Sequence, residues 1–316
     1  MTMACLPAGG QPCKTAEVRE MNNRRRPRRS ALYVPGSNAR ALEKCRQLEA
    51  DVLIFDLEDS IAPDTKEEAR SRVVNLVRSG GFGARELVVR VNALDSPWGG
   101  ADLAAIAGTG VAAVLLPKAG SPADCLKARS LLNDAGAPAG LALWAMIETP
   151  QAVLDAAQIA TAAGECGLTC FVIGPNDLAR TTGARMVPGR GPMLAWLSHC
   201  LLAARAHGLA ILDGVFNDFR DSAGFEAECH QGRDLGMDGK TLIHPGQIAA
   251  ANTAFKPSEA ELADARRIIA LFDRQENAGK GAIGLDGRLV ERLHAEIAAR
   301  TLELAAAIAA LERSRT

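Results

Sequence analysis

The sequence predicts an α/β protein, a (β/α)8 TIM barrel carrying a C-terminal helical lid extension. Three observations predict it. Eight short apolar, β-branched runs recur along the chain. Ala-rich stretches with helical spacing separate them. Reactive side chains gather at the ends of the runs and not at their starts, which is where a parallel barrel carries its chemistry. With 316 residues, 48% of them hydrophobic, the chain can bury a core of that size.

The runs are ALYVPG (31–36), VLIFDLED (52–59), LVVRVN (87–92), AVLLPKA (113–119), LALWAMIET (141–149), CFVIGPND (170–177), AILDGV (210–215) and GKTLIHP (239–245). Thr65 with Glu68 reads as a capping box, and Thr149 before Pro150 as a helix cap with proline at the first turn. No GxGxxG follows the first run, which argues against a doubly wound dinucleotide-binding sheet. After the eighth run, Ser258 and Glu261 form another capping box, opening a helix to about Gln275. The glycine-rich GKGAIGLDGRL (279–289) has the composition of a mobile lid, and a long Ala/Leu-rich helix follows it. The expected organisation is a disordered basic tail over 1–28, a catalytic barrel over 29–255 and a helical extension over 256–316. That extension is too apolar to stay free: it packs on its own barrel or on a neighbouring subunit, and it suggests a homo-oligomer.

Net charge is −1, so the chain as a whole lacks the electrostatics of a nucleic-acid binder. The one basic run, RRRPRR (24–29), reads as a solvated arm whose last residue, Arg29, is a candidate for binding a phosphate at the edge of the fold. Eight cysteines without a CxxC pair argue for a reducing cytoplasm and against a disulfide framework or zinc. No run is long enough to span a membrane.

The runs end in Glu58-Asp59, Arg90-Asn92, Lys118, Glu148, Asn176-Asp177, Asp213 and His244. Alternation places Val88, Arg90 and Asn92 on one face of the third run, away from Leu87, Val89 and Val91. Arg90 then faces the barrel mouth, where it needs an anion, and Asp56 and Glu58 on the neighbouring run can supply one. This is either a structural ion pair or a grip for a substrate carboxylate or oxyanion. Glu148 and Asp177 end consecutive runs. Two carboxylates with room for water suit Mg²⁺; the plainer alternative makes them helix caps. Lys118 either forms a Schiff base or neutralises the acidic mouth, and the second fits a metal site better. His244 is expected to shape the wall of the site.

The motifs RSALYVPGSNAR, DVLIFDLEDSIAPDTKEEAR, VRVN, LLPKA, MIETPQAV, GPNDLA and GMDGKTLIHPGQI, in this order, resemble the citrate lyase β-subunit-like family of the HpcH/HpaI aldolase superfamily, which includes the malyl-CoA and citramalyl-CoA lyases. The resemblance spans about residues 29 to 290. It implies Mg²⁺ held by Glu148 and Asp177, and Arg90 on the substrate's carboxylate and carbonyl oxygens, with Asn176 beside them. Glu58 and Asp59 would order metal-bound waters and Arg90. Asp286, in GLDGRL, would act as acid/base in an adjacent subunit's site, and Arg29 would meet a CoA phosphate. The implied reaction is retro-Claisen cleavage of a malyl-CoA or citramalyl-CoA thioester to acetyl-CoA and a 2-keto acid, in a trimer or hexamer. After the Asp-Gly pair the family continues with Ile or Val and another Asp, whereas this chain reads Arg-Leu-Val-Glu. Rival readings are a citrate lyase β subunit, a metal-dependent aldolase on free hydroxy-keto acids, and a non-catalytic barrel with a nucleic-acid-contacting arm.

Overall fold

The computed structural model describes residues 26–315. Eight parallel strands close on themselves in chain order: β1 (Ser30–Pro35), β2 (Val52–Asp56), β3 (Glu86–Arg90), β4 (Ala113–Leu116), β5 (Ala142–Ile147), β6 (Leu168–Ile173), β7 (Ala210–Asp213) and β8 (Gly239–Leu242), with β8 pairing β1. Helices connect successive strands, as a parallel sheet requires. Alternation along each strand divides two cores. Ile54, Val88, Leu115, Trp144, Val172 and Leu212 pack together inside the barrel. Their neighbours Leu53, Phe55, Val89, Leu116, Phe171 and Ile211 pack outward under the helices.

Ala31, Ala113 and Ala210 leave room in the barrel interior for Trp144, which is fully buried. Below it, the Arg28 guanidinium lies 5.0 Å from the indole ring and donates to Glu86 at 2.6 and 2.9 Å. Arg29 is 2% exposed, with its Nε and Nη2 both 2.9 Å from Asp51 and its Nη1 2.9 Å from Glu312. This corrects two expectations. The tail does not remain solvated through residue 28, because Pro27 and Arg28 are buried. Arg29 is spent on ion pairs at the barrel floor, at the start of β1 and opposite the strand ends, so it is not a phosphate ligand. The rest of the expected tail, residues 1–25, lies outside the described residues.

Thr149 caps its helix through the Ala152 N–H, and the Ser258–Glu261 box forms. The Thr65 box does not: Thr65 donates to Ala62 O, and Glu68 pairs with Arg72 instead. The extension holds the helices Glu259–Phe272 and Arg292–Arg313, joined by a hairpin of β9 (Ala282–Leu285) and β10 (Arg288–Glu291). Ala265, Ile268, Val290 and Ala298 form its small core. The glycine-rich lid is therefore a hairpin and not an irregular loop. Asp286 and Gly287 make its turn with φ of 51° and 76°, the conformation that favours Asp-Gly. No helix among the described residues is long and apolar enough to cross a membrane.

Candidate active site

At the C-terminal ends of the strands the barrel opens into a cavity of about 400 Å³. Tyr33, Asp56, Asp59, Arg90, Met146, Asn176 and Asp177 line it, together with Gly174, Val215 and Ile243.

Strand register builds its charged side. Asp56 and Arg90 are direct partners across β2 and β3, both on the inward face. Arg90 donates Nε to Asp56 Oδ1 at 2.7 Å and Nη2 to Asp56 Oδ2 at 2.8 Å, a bidentate clamp. Its Nη1 lies 3.1 Å from Glu58 and 3.2 Å from Asp59. The guanidinium also sits 4.9 Å over the Tyr33 ring. Burial alone would lower the Arg90 pKa, but Asp56 and the other charges outweigh it and raise it. Asp56 is in turn fixed by the Glu58 N–H at 2.9 Å and the Ser60 N–H at 3.2 Å.

Glu58 is buried, and neither carboxylate oxygen has an aligned hydrogen bond. It pairs by charge alone, with Arg90 and, at 3.2 Å, with Lys118 Nζ. Burial, with Asp59 adding to it, raises its pKa. Burial alone would lower the Lys118 ammonium, and Glu58 more than offsets that. A raised, paired lysine is a neutralising group, not a poised Schiff-base amine.

Glu148 follows β5 and Gly174 follows β6. A Cβ on Gly174 would stand 2.4 Å from Glu148 Cβ, so glycine lets the two strand ends close up around the carboxylate. Glu148 is 1% exposed. Its Oε1 accepts the Lys118 N–H at 2.7 Å, while Oε2 is buried with no partner. Burial first, then the Glu58 and Asp177 carboxylates, push its pKa to about 8. A buried carboxylate with an orphaned oxygen, in the field of other carboxylates, fits a cation. Among the described residues no group of three or more His, Cys, Asp or Glu forms a metal cluster. Two carboxylates completed by water and substrate oxygens match a hard divalent ion such as Mg²⁺. Asp177 lies on the cavity wall beside Arg180, and Asn176 exchanges amide hydrogen bonds with Asn217.

The structure thus brings Glu58, Asp59, Arg90, Glu148, Asn176 and Asp177 into one mouth. It does not bring Asp286 there in the same chain: the residue is exposed at the hairpin tip and pairs with Arg267. Three strand-end residues face elsewhere. Asp213 points outward, where Arg190 and Lys240 hold it at 2.7 and 3.0 Å. Asn92 turns behind the mouth to Asp102 and Lys66. His244 stacks on Phe219 at 4.7 Å and caps the next turn, leaving Ile243 to form the wall. Sequence reasoning passed over Tyr33 and Met146, although alternation from Ala31 and Trp144 puts both on the inward face.

A barrel mouth that joins buried carboxylates to a clamped arginine can receive an anionic, oxygen-rich ligand. The chain belongs to the HpcH/HpaI aldolase/citrate lyase family, whose model matches residues 29–245. A (3S)-malyl-CoA thioesterase of Cereibacter sphaeroides (strain KD131 / KCTC 12085) is 49% identical over 294 residues, 93% of this chain and 100% of that protein. The citrate lyase subunit beta of Leuconostoc mesenteroides subsp. cremoris is 34% identical, covering 90% of this chain and 95% of that protein. The crystal structure of protein CitE from Mycobacterium tuberculosis, in complex with magnesium, acetoacetate and coenzyme A, matches with a TM-score of 0.71 and 30% identity. It covers 89% of this chain and 99% of that one.

Proposed function

We propose that the chain is a Mg²⁺-dependent enzyme that hydrolyses the CoA thioester of a short 3-hydroxy dicarboxylic acid of the malyl type. The observation that carries the metal-dependent site is Glu148, a buried carboxylate with one unpartnered oxygen in the field of the Glu58 and Asp177 charges. Hydrolysis is preferred over carbon–carbon cleavage because the thioesterase relative shares 49% identity and the citrate lyase subunit 34%.

Glu148 and Asp177 would hold the ion, which supplies Lewis acidity to substrate oxygens when bound. The chain's own groups do the rest. Asp56 locks the Arg90 plane, so Nη1 meets the substrate in a fixed orientation. Asp59, its most exposed partner, gives way to a substrate carboxylate or carbonyl oxyanion. Glu58, with a raised pKa and no aligned hydrogen bond, takes a proton from water attacking the thioester carbonyl. The C–S bond breaks and the thiolate leaves with that proton, giving free hydroxy acid and CoA. Met146, Ile173, Val215 and Ile243 offer the acid's carbons an apolar wall.

The second reading is retro-Claisen cleavage. The family resemblance favours it, and Glu58 is equally placed to take the hydroxyl proton. That reaction needs an acid for the enolate carbon, which a neighbouring copy's hairpin carrying Asp286 would supply. Exposed Leu289, Leu293 and Ile297 on the extension support a homo-oligomer, and the buried free thiols suit a reducing cytoplasm.

Incubation with malyl-, citramalyl- and citryl-CoA in Mg²⁺ separates the readings. Free thiol without keto acid from malyl-CoA supports hydrolysis. Glyoxylate and acetyl-CoA without free thiol support cleavage, and no turnover of any thioester overturns both.

A further inference from the structure

Behind the mouth lies a buried polar chain that neither the candidate ligands nor the cavity wall uses. Lys66, the first residue of the helix Lys66–Arg78, is 6% exposed. Its ammonium donates to Leu57 O at 3.1 Å, to Glu58 O at 3.0 Å and to Asn92 Oδ1 at 2.6 Å. An ammonium has three donors, and all three are used. Trp98 covers it, 5.1 Å to the ring centre. Asn92 passes the chain on: its Nδ2 donates to Asp102 Oδ2 at 2.6 Å, and its backbone N–H donates to the same oxygen at 2.9 Å. Arg70 holds the other oxygen of Asp102 at 2.6 Å. The cation on one side and the carboxylate on the other leave the Asn92 amide one workable orientation.

The loop after β2 carries Glu58 and Asp59 to Arg90. Lys66 ties two consecutive carbonyls of that loop from behind, and Asp56 takes the Glu58 N–H from the front. The Glu58 peptide is gripped on both sides while its carboxylate has no aligned hydrogen bond of its own. Its position is therefore set by its backbone together with the Arg90 and Lys118 charges. Lys66 makes no ion pair among the described residues, and burying a cation on neutral acceptors is costly. Burial lowers its pKa, against the pull of Asp56 and Glu58 nearby.

We propose that Lys66 is a positioning residue: through the Leu57 and Glu58 carbonyls it sets the Glu58 carboxylate against Arg90 and the mouth, with Asn92 as its fixed support. This rests on the mouth being the active site. Lys66→Met should lower kcat about 30- to 100-fold and leave KM within about threefold, the pattern of a misplaced group in a site that still binds substrate. Asn92→Leu should act in the same direction. Because Asn92 works through Lys66, the double variant should fall no more than about twofold below Lys66→Met. Unchanged kcat per folded molecule, or fully multiplicative losses, would overturn the proposal. Should Lys66→Met not fold, Lys66→Gln, which keeps an amide donor, goes through the same measurements. A wild type that turns over no thioester sinks the functional reading. The proposal is then decided by a crystal structure of the Lys66 variant: a displaced 57–59 loop that draws Glu58 away from Arg90 supports it, and an unmoved loop ends it.

Discussion

Replacing Glu148 with glutamine should stabilise the metal-free protein while abolishing its response to magnesium. Burial, then the Glu58 charge, hold this carboxyl near 8 against an ordinary 4.5. Between those values the folded chain keeps a proton that the unfolded chain has lost. Stability therefore falls as pH rises through that window, and the loss is complete above about 8. At about 1.36 kcal/mol per pH unit, the cost is roughly 3 kcal/mol at pH 7 and approaches roughly 5 kcal/mol above pH 8. Glutamine keeps the shape and the acceptor for the Lys118 N–H, and it carries no charge. In EDTA at pH 8.5, Glu148→Gln should exceed the wild type by about 2–4 kcal/mol, or roughly 5 °C in midpoint, with the difference shrinking toward pH 5. Saturating Mg²⁺ should reverse the order by binding only the ionised wild-type carboxylate. Denaturation at both pH values, with and without Mg²⁺, measures all four terms. A variant less stable than the wild type in EDTA at pH 8.5, or one with an undiminished Mg²⁺ response, would contradict this.

Arg90→Lys loses the bidentate clamp on Asp56 and should lower kcat/KM about 10²- to 10³-fold on any thioester that is turned over, read by steady-state kinetics. Gly174→Ala drives a methyl group into Glu148. Its denaturation midpoint should correspond to about 1–3 kcal/mol of lost stability, with the Mg²⁺ response weakened as well. Asp286→Asn keeps a residue tolerant of positive φ at the hairpin tip. It should leave free-thiol release within about threefold and cut any keto-acid formation at least about tenfold. Relative to a chain beginning at Arg26, one beginning at Ser30 strips Arg28 from Glu86 and leaves Asp51 with Arg315 alone, and should lose about 3–5 kcal/mol in urea titration.

The barrel was readable because each strand is an apolar run whose alternation is enforced by two cores, and because closure leaves no edge to disguise. The same alternation aimed Arg90 inward, where Asp56 meets it. It failed one or two residues past a strand end, where the chain leaves the pleat: Asn92 follows β3 but turns behind the mouth to meet Lys66. Lys66 could not be singled out, since the acceptors that give it meaning are carbonyls of a loop rather than a side-chain pattern. The RRRPRR run looked solvated by charge density alone. Its last two arginines are buried because Glu86, at the start of β3, and Asp51, just before β2, wait for them at the barrel floor. Asp286 carried a turn signal and a family signal together. Within one chain the turn geometry is what the backbone expresses.

On the proposed reading, a divalent ion bound between Glu148 and Asp177 organises the mouth. Crystals of the full chain soaked in Mn²⁺ as a stand-in for Mg²⁺ test it through anomalous scattering. One strong peak within ligand distance of both carboxylates is expected. A clear map with no peak there, or with the ion held by other residues, contradicts it.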